Sequence, residues 1–102
     1  MINGAVQITD CFKRVRYRYT LTEVVDETLL EQYADKSAYE VSVYDARHLL
    51  PLSHVTFQIQ SRDGSFLING ALGLRYVSIT YVRDDQLDAI KAAQEEVLAR
   101  LP

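Results

Sequence analysis

From Arg14 to Leu21 the chain alternates without a break. Arg14, Arg16, Arg18 and Thr20 take the even positions, and Val15, Tyr17, Tyr19 and Leu21 the odd ones. Successive side chains of a β-strand point to opposite faces, whereas a helix would scatter these residues around its axis. The segment therefore demands a strand with one apolar and one cationic face, in a sheet whose apolar face another layer must cover. We read Cys11 to Leu21 as that strand.

The same period of two recurs along the chain. Tyr39, Val41 and Val43 alternate with Glu40, Ser42 and Tyr44; from His54 to Ser61, Val55, Phe57 and Ile59 alternate with His54, Thr56, Gln58 and Gln60; within Leu74 to Val82, Val77, Ile79 and Tyr81 alternate with Tyr76, Ser78 and Thr80. Ile2 to Ile8 is a weaker strand, because Gly4 has no side chain to pack, and its Val6 and Ile8 are expected on the apolar face. Arg62-Asp63-Gly64 predicts a hairpin turn, and Phe66 to Ile68 a short return strand. Asn69-Gly70 has the composition of a two-residue hairpin turn, leading through Ala71, Leu72 and Gly73 into the next strand.

Two stretches have helical spacing. Thr20-x-x-Glu23 matches a capping box, with Thr22 as an alternative cap, ahead of a stripe of Val25, Leu29 and Tyr33. Asp84 or Asp85 is the expected cap of a second helix, whose Leu87, Ile90, Val97, Leu98 and Leu101 share a side helped by Ala93. Asp45 to Ser53 is a loop around Pro51, and its Leu49, Leu50 and Leu52 are expected to pack down. The order β-β-α-β-β-β-β-α predicts an α+β two-layer sandwich: a mostly antiparallel sheet of five to six strands with two helices on one face.

At 102 residues the chain fits a single domain, 1–102, and with 48% hydrophobic and 25% charged residues it lies far from the disordered regime. Cys11 is the only cysteine, so no internal disulfide is possible and a reducing, cytoplasmic location is expected. Met1 to Ala5 lacks the basic and apolar regions of a signal peptide, and no stretch approaches the roughly 20 apolar residues that span a bilayer. Eleven basic residues against 14 acidic ones leave a formal charge of −3, which provides no global field for nucleic acid or anionic lipid. Neither a nucleic-acid nor a membrane partner is expected.

The polar sheet face is the main functional candidate. Its expected binding residues are Arg14, Arg16, Arg18, Tyr44, Gln58 and Tyr76. Arg and Tyr are enriched where proteins bind one another, whereas a plain solvated sheet face would also tolerate them. The arginines and tyrosines could imitate a platform for single-stranded nucleic acid, but the glycine-and-aromatic consensus of an RNA-recognition sheet is missing. The arginines could instead pair with Glu40 or other carboxylates on neighbouring strands.

Other constellations are thinner. His48 and His54 with Asp45 are the obvious metal-ligand types, yet their spacing matches neither a helical pair nor a zinc ribbon, and no metal is predicted. Cys11 with either histidine would be the minimal thiol pair, but no motif surrounds it. Glycines at 4, 64, 70 and 73 form neither a P-loop nor a dinucleotide fingerprint, so no cofactor is predicted and no catalytic residue is named. The acid pairs Asp26-Glu27, Asp84-Asp85 and Glu95-Glu96 fit helix starts and solvated helix sides. These readings favour a non-enzymatic binding or assembly module, with a homo-oligomer or a protein partner engaged through the exposed sheet face or an edge strand. The alternative is a small-molecule binder or small enzyme with a pocket under the 45–53 loop, with His48 and His54 at its mouth.

Overall fold

The alternating strand holds the centre of the left half of a six-stranded antiparallel sheet. A computed structural model describes residues 2–8, 14–34, 37–49, 51, 53–82 and 85–101. Its elements are β1 (Ile2–Ile8), β2 (Arg14–Leu21), α1 (Glu27–Ala34), β3 (Tyr39–Tyr44), β4 (Thr56–Ser61), β5 (Phe66–Ala71), β6 (Tyr76–Val82) and α2 (Leu87–Arg100). The spatial order is β1-β2-β6-β5-β4-β3. β3 to β6 form a meander, and β6 then pairs with β2, putting Tyr17 opposite Ile79 and Tyr19 opposite Val77. The α+β arrangement and element order are those that the sequence predicts.

Both helices lie on the face made by Tyr19, Ile59, Ile68, Val77, Ile79 and Tyr81, all of them sealed from solvent. Leu29 and Tyr33 of α1 and Leu98 of α2 complete this core. Buried tyrosines need partners for their hydroxyls. Tyr19 and Tyr81 meet oxygen to oxygen at 3.0 Å, and the Tyr33 hydroxyl donates to Gln94 Oε1 at 2.5 Å, which ties α1 to α2. Burial pushes the pKa of all three phenols well above the ordinary tyrosine range, so they stay neutral donors and acceptors at any physiological pH.

Several local expectations are corrected. Thr20 does not cap a helix, because β2 runs on through it to Leu21. The Leu21 and Val25 amides then donate to the carbonyls of Arg75 and Leu74, both at 2.7 Å. Residues 22–26 are therefore held against the β5–β6 connection, and α1 begins only after Asp26, whose carboxylate accepts the Thr28 amide at 2.9 Å. Val25 is still in the core, but ahead of the helix. At α2 the N-cap is Gln86, one residue beyond Asp85; Asp84 lies outside the described residues.

Asn69-Gly70 is not a turn either. Both residues are inside β5, with Asn69 opposite Gln58 and Ser78 and Gly70 opposite Phe57 and Val77. The reversal comes later, at Gly73, whose φ is +91°. Glycine stands at 70 because the Phe57 ring occupies the place of its side chain: an added Cβ would lie 2.7 Å from Phe57 Cζ and 3.2 Å from Val77 Cγ1. By contrast the Arg62-Asp63-Gly64 turn forms as expected, with Gly64 at φ +78°.

β1 departs from its expected facing. Ile2 lies opposite Leu21 on the helix side, but an irregularity between Ile2 and Gly4 shifts the register, so Val6 stands opposite Arg18 and Ile8 opposite Arg16. One extra residue in a strand turns everything after it over. Val6 and Ile8 thus belong to the open face, not the core. Finally, the Asp45–Ser53 loop does not bury Leu49, which is 69% exposed; Leu50 and Leu52 lie outside the described residues.

Replacing Gly70 by alanine forces the Phe57 ring or β6 to move. We expect Gly70→Ala to lower unfolding stability by about 1–3 kcal/mol, the usual range for overpacking, read as a lower urea midpoint at unchanged m-value.

Candidate functional site

Among the described residues no helix covers the second face of the sheet, and the strand registers put every expected site residue on it. Arg14 faces Val82, Arg16 lies between Ile8 and Thr80, and Arg18 between Val6 and Ser78. Tyr76 faces Thr20. Gln58 lies between Ser42 and Asn69, and Tyr44 faces Thr56.

The face divides into two halves. In the first, β2 stands beside β6, and the Arg18 guanidinium carbon lies 4.1 Å from the centroid of the Tyr76 ring. A cation over an aromatic face is attracted by the ring quadrupole, worth about 0.5–1 kcal/mol at an exposed site. Arg16 lies next to Thr80, which is buried although it points away from the core. The Arg16 Nε is itself shielded and has no hydrogen-bond partner. A shielded donor of a charged group with no acceptor is costly, which makes it, among the described residues, a conspicuously unmet polar demand of this face.

The second half runs over β5, β4 and β3. Tyr44 is 62% exposed, and with Gln58, Ser42, Thr56 and Asn69 it lines an open depression of about 430 Å³. Four strand spacings separate β2 from β3, ~19 Å at about 4.8 Å each. The arginines and Tyr44 therefore cannot grip one small ligand together. The same distance removes Glu40 as an ion-pair partner of the arginine row, since Glu40 sits on β3 opposite Gln60.

Sequence reasoning missed two contributors to this face. Val6 is 63% exposed beside Arg18, and Asn69 joins the amide-rich half. Asn69 could have been found from its neighbours, because Phe66 and Ile68 alternate with Leu67 and Asn69 as a strand does; the flip of Val6 had no signal short of the structure.

A second candidate lies on the helix side. Under the 45–53 loop, a cleft of about 620 Å³ is lined by Leu30, Val43, Val55 and Leu72 with Glu27, Asp45, Arg47 and His54 around them. His54 Nδ1 is 3.1 Å from the Leu72 carbonyl oxygen, an acceptor that requires the proton to sit on Nδ1. Arg47 Nε and an Arg47 terminal nitrogen donate to the two oxygens of Asp45 at 2.9 and 2.6 Å, a bidentate fork. That fork, together with the Arg47 backbone amide on the same carboxylate, holds the Asp45 pKa down to about 2. His48 is in the exposed loop, and Cys11 lies outside the described residues. Among the described residues no three His, Cys, Asp or Glu side chains converge as a metal ion would need, and no helix is long and apolar enough to cross a membrane.

Comparison with protein-family models, curated proteins and solved structures found no match.

A depressed carboxylate pKa means that the Asp45–Arg47 contact is present above the ordinary aspartate pKa near 4 and is lost as pH falls through about 2. We expect the Asp45 carboxyl carbon to titrate by NMR with a midpoint near 2 in the native chain, and to rise toward the ordinary range in Arg47→Ala, which removes the guanidinium fork and keeps the backbone amide.

Proposed function

We propose that this chain is a non-enzymatic protein-binding or assembly module that works through its open sheet face and the edge strand continuous with it. The observation that carries this reading is the shielded, unpartnered Arg16 Nε, on a face that no helix covers. A protein surface laid on that face could supply an acceptor and bury the Arg18–Tyr76 stack at the same time. Arg and Tyr are the side chains that contribute most at protein interfaces when desolvated. The uncovered apolar side chains nearby, Val6 and Val82, add area whose burial is favourable at about 25 cal/mol per Å². A domain of this size buries only about two thirds of its unfolded surface, so a partner adds materially to its stability. The single cysteine fits action in the cytoplasm.

The cleft beneath the 45–53 loop supports a second reading, binding of a small molecule. Its apolar floor and its polar rim of Glu27, Asp45, Arg47 and His54 are the usual composition of a ligand site.

Light scattering over a wide concentration range tests the first reading. We expect the mass to rise above the 11.7 kDa of one chain, or a protein partner to be retained on the immobilised chain; a single-chain mass at every concentration with nothing retained overturns it. For the second reading, a ligand library screened by thermal shift should yield compounds that raise Tm, with the rise lost in Arg47→Ala and His54→Ala. A screen in which no compound raises Tm, or in which the rise survives both variants, counts against the cleft.

A further inference from the structure

The two edges of the sheet are not alike, and the difference points to a particular partner. β1, the strand Ile2-Asn3-Gly4-Ala5-Val6-Gln7-Ile8, contains no charged residue and no proline. β3, at the opposite edge, carries Glu40 and has α1 packed beside it. Edge strands are ordinarily kept from pairing by charges, prolines or a covering element. Among the described residues no strand pairs with the outer side of β1, and α2 packs against β1 more lightly than α1 does against β3.

The hydrogen-bond pattern shows what that edge can accept. The Leu21 amide bonds to the Arg75 carbonyl next to β6, so the odd residues of β2 direct their peptide groups toward β6 and the even ones toward β1. Arg16, Arg18 and Thr20 are therefore the residues that bond to Ile8, Val6 and Gly4. The peptide groups of Ala5 and Gln7, lying between them, face outward.

We infer that a second copy of this chain pairs antiparallel through β1 about a two-fold axis at Val6; this rests on the edge-strand part of the assembly reading above and leaves the open face free. In that register Ala5 faces the partner's Gln7, and Gln7 the partner's Ala5, and each pair exchanges both outward N–H···O bonds. Val6 meets the partner's Val6 in the intervening non-bonded position, where opposed side chains approach most closely. On the open face Gly4 lies beside the partner's Ile8. The same patch is thus complementary to itself, as a two-fold interface requires. Charge agrees with this: the chain is net negative at −3, so two copies repel wherever acid meets acid, and β1 is the edge strand that brings no ion to the contact. Pairing β1 of one copy with β3 of another would instead be head-to-tail and would not close.

Two variants of one exposed residue test the geometry, with light scattering as the readout. Val6→Glu places a carboxylate opposite Arg18 within its own sheet, which keeps the fold, but sets two like charges together on the axis. Val6→Cys in a Cys11→Ser background sets two thiols face to face, at the Cα separation of about 4.5 Å of a non-bonded pair, within disulfide reach. We expect the native chain at about twice 11.7 kDa, Val6→Glu folded by circular dichroism but at one chain mass, and rapid covalent dimer formation on oxidation for Val6→Cys. Ser42→Cys in the same background, on β3, should not cross-link. A native chain that is monomeric but retains a protein partner overturns β1 pairing and spares the binding reading. A dimer that Val6→Glu leaves intact and that an Arg16→Ala, Tyr44→Ala double variant breaks also overturns β1 pairing, while placing assembly on the open face.

Discussion

The pairing of β2 with β6 is the constraint on which the rest of the molecule depends. It joins residues 14–20 to residues 76–82, across most of the chain, and without it the N-terminal hairpin and the β3–β6 meander would be separate pieces with uncovered edges. Bringing such distant segments together costs loop-closure entropy that grows slowly with length, so the contact must repay a fixed cost with dense packing. It does so through Tyr17, Tyr19, Ile79 and Tyr81, and through the Tyr19–Tyr81 hydroxyl contact at 3.0 Å, which satisfies both polar ends inside an apolar layer. The same pairing sends the arginines of β2 outward next to Tyr76. One long-range ladder thus builds both the core and the cationic half of the open face.

Much of this was legible in the sequence because it is local. The period of two in β2, β3, β4 and β6 needs no knowledge of neighbours, and neither does the Gly64 turn. What failed was every feature whose cause lies on another strand. Gly70 looks like a turn residue until the Phe57 ring is seen above it. Thr20 and Glu23 have the spacing of a capping box, but the carbonyls of Leu74 and Arg75 accept the Val25 and Leu21 amides and keep this stretch out of the helix. Val6 and Ile8 share a parity with Ile2 in sequence, yet the irregularity near Asn3 separates them in space. Local pattern sets which residues can share a face; tertiary pairing decides where that pattern is interrupted.

The candidate site divides along the same line. All six expected residues face away from the helices, since outward facing follows from parity alone. Their grouping does not. Arg18 is stacked on Tyr76, while Tyr44 and Gln58 belong to a separate depression near the other edge, because strand order places β2 and β3 four steps apart. Strand order is a property of loops and pairing energies spread over the whole chain, and no segment encodes it. The cleft with Asp45, Arg47 and His54 was partly legible, since the apolar loop residues pointed to that region, but the Asp45–Arg47 fork depends on backbone geometry two residues apart that composition does not reveal.

The asymmetry of the two edges bears on what kind of assembly such a sheet permits. An open six-stranded sheet has two unsatisfied rims, and if both were equally receptive, copies would add head to tail into an unbounded filament. Glu40 on β3, with α1 alongside it, makes that rim the poorer acceptor, because an added strand would have to desolvate a carboxylate and find room beside the helix. The rim at β1 carries no charge and has only a light contact with α2, and on the proposed pairing its outward-facing peptide groups at Ala5 and Gln7 would meet their own copies. On the proposed pairing, a sheet receptive at one edge and guarded at the other would stop at two. That limit follows from where Glu40 and α1 sit, and it would hold whatever lies on the open face.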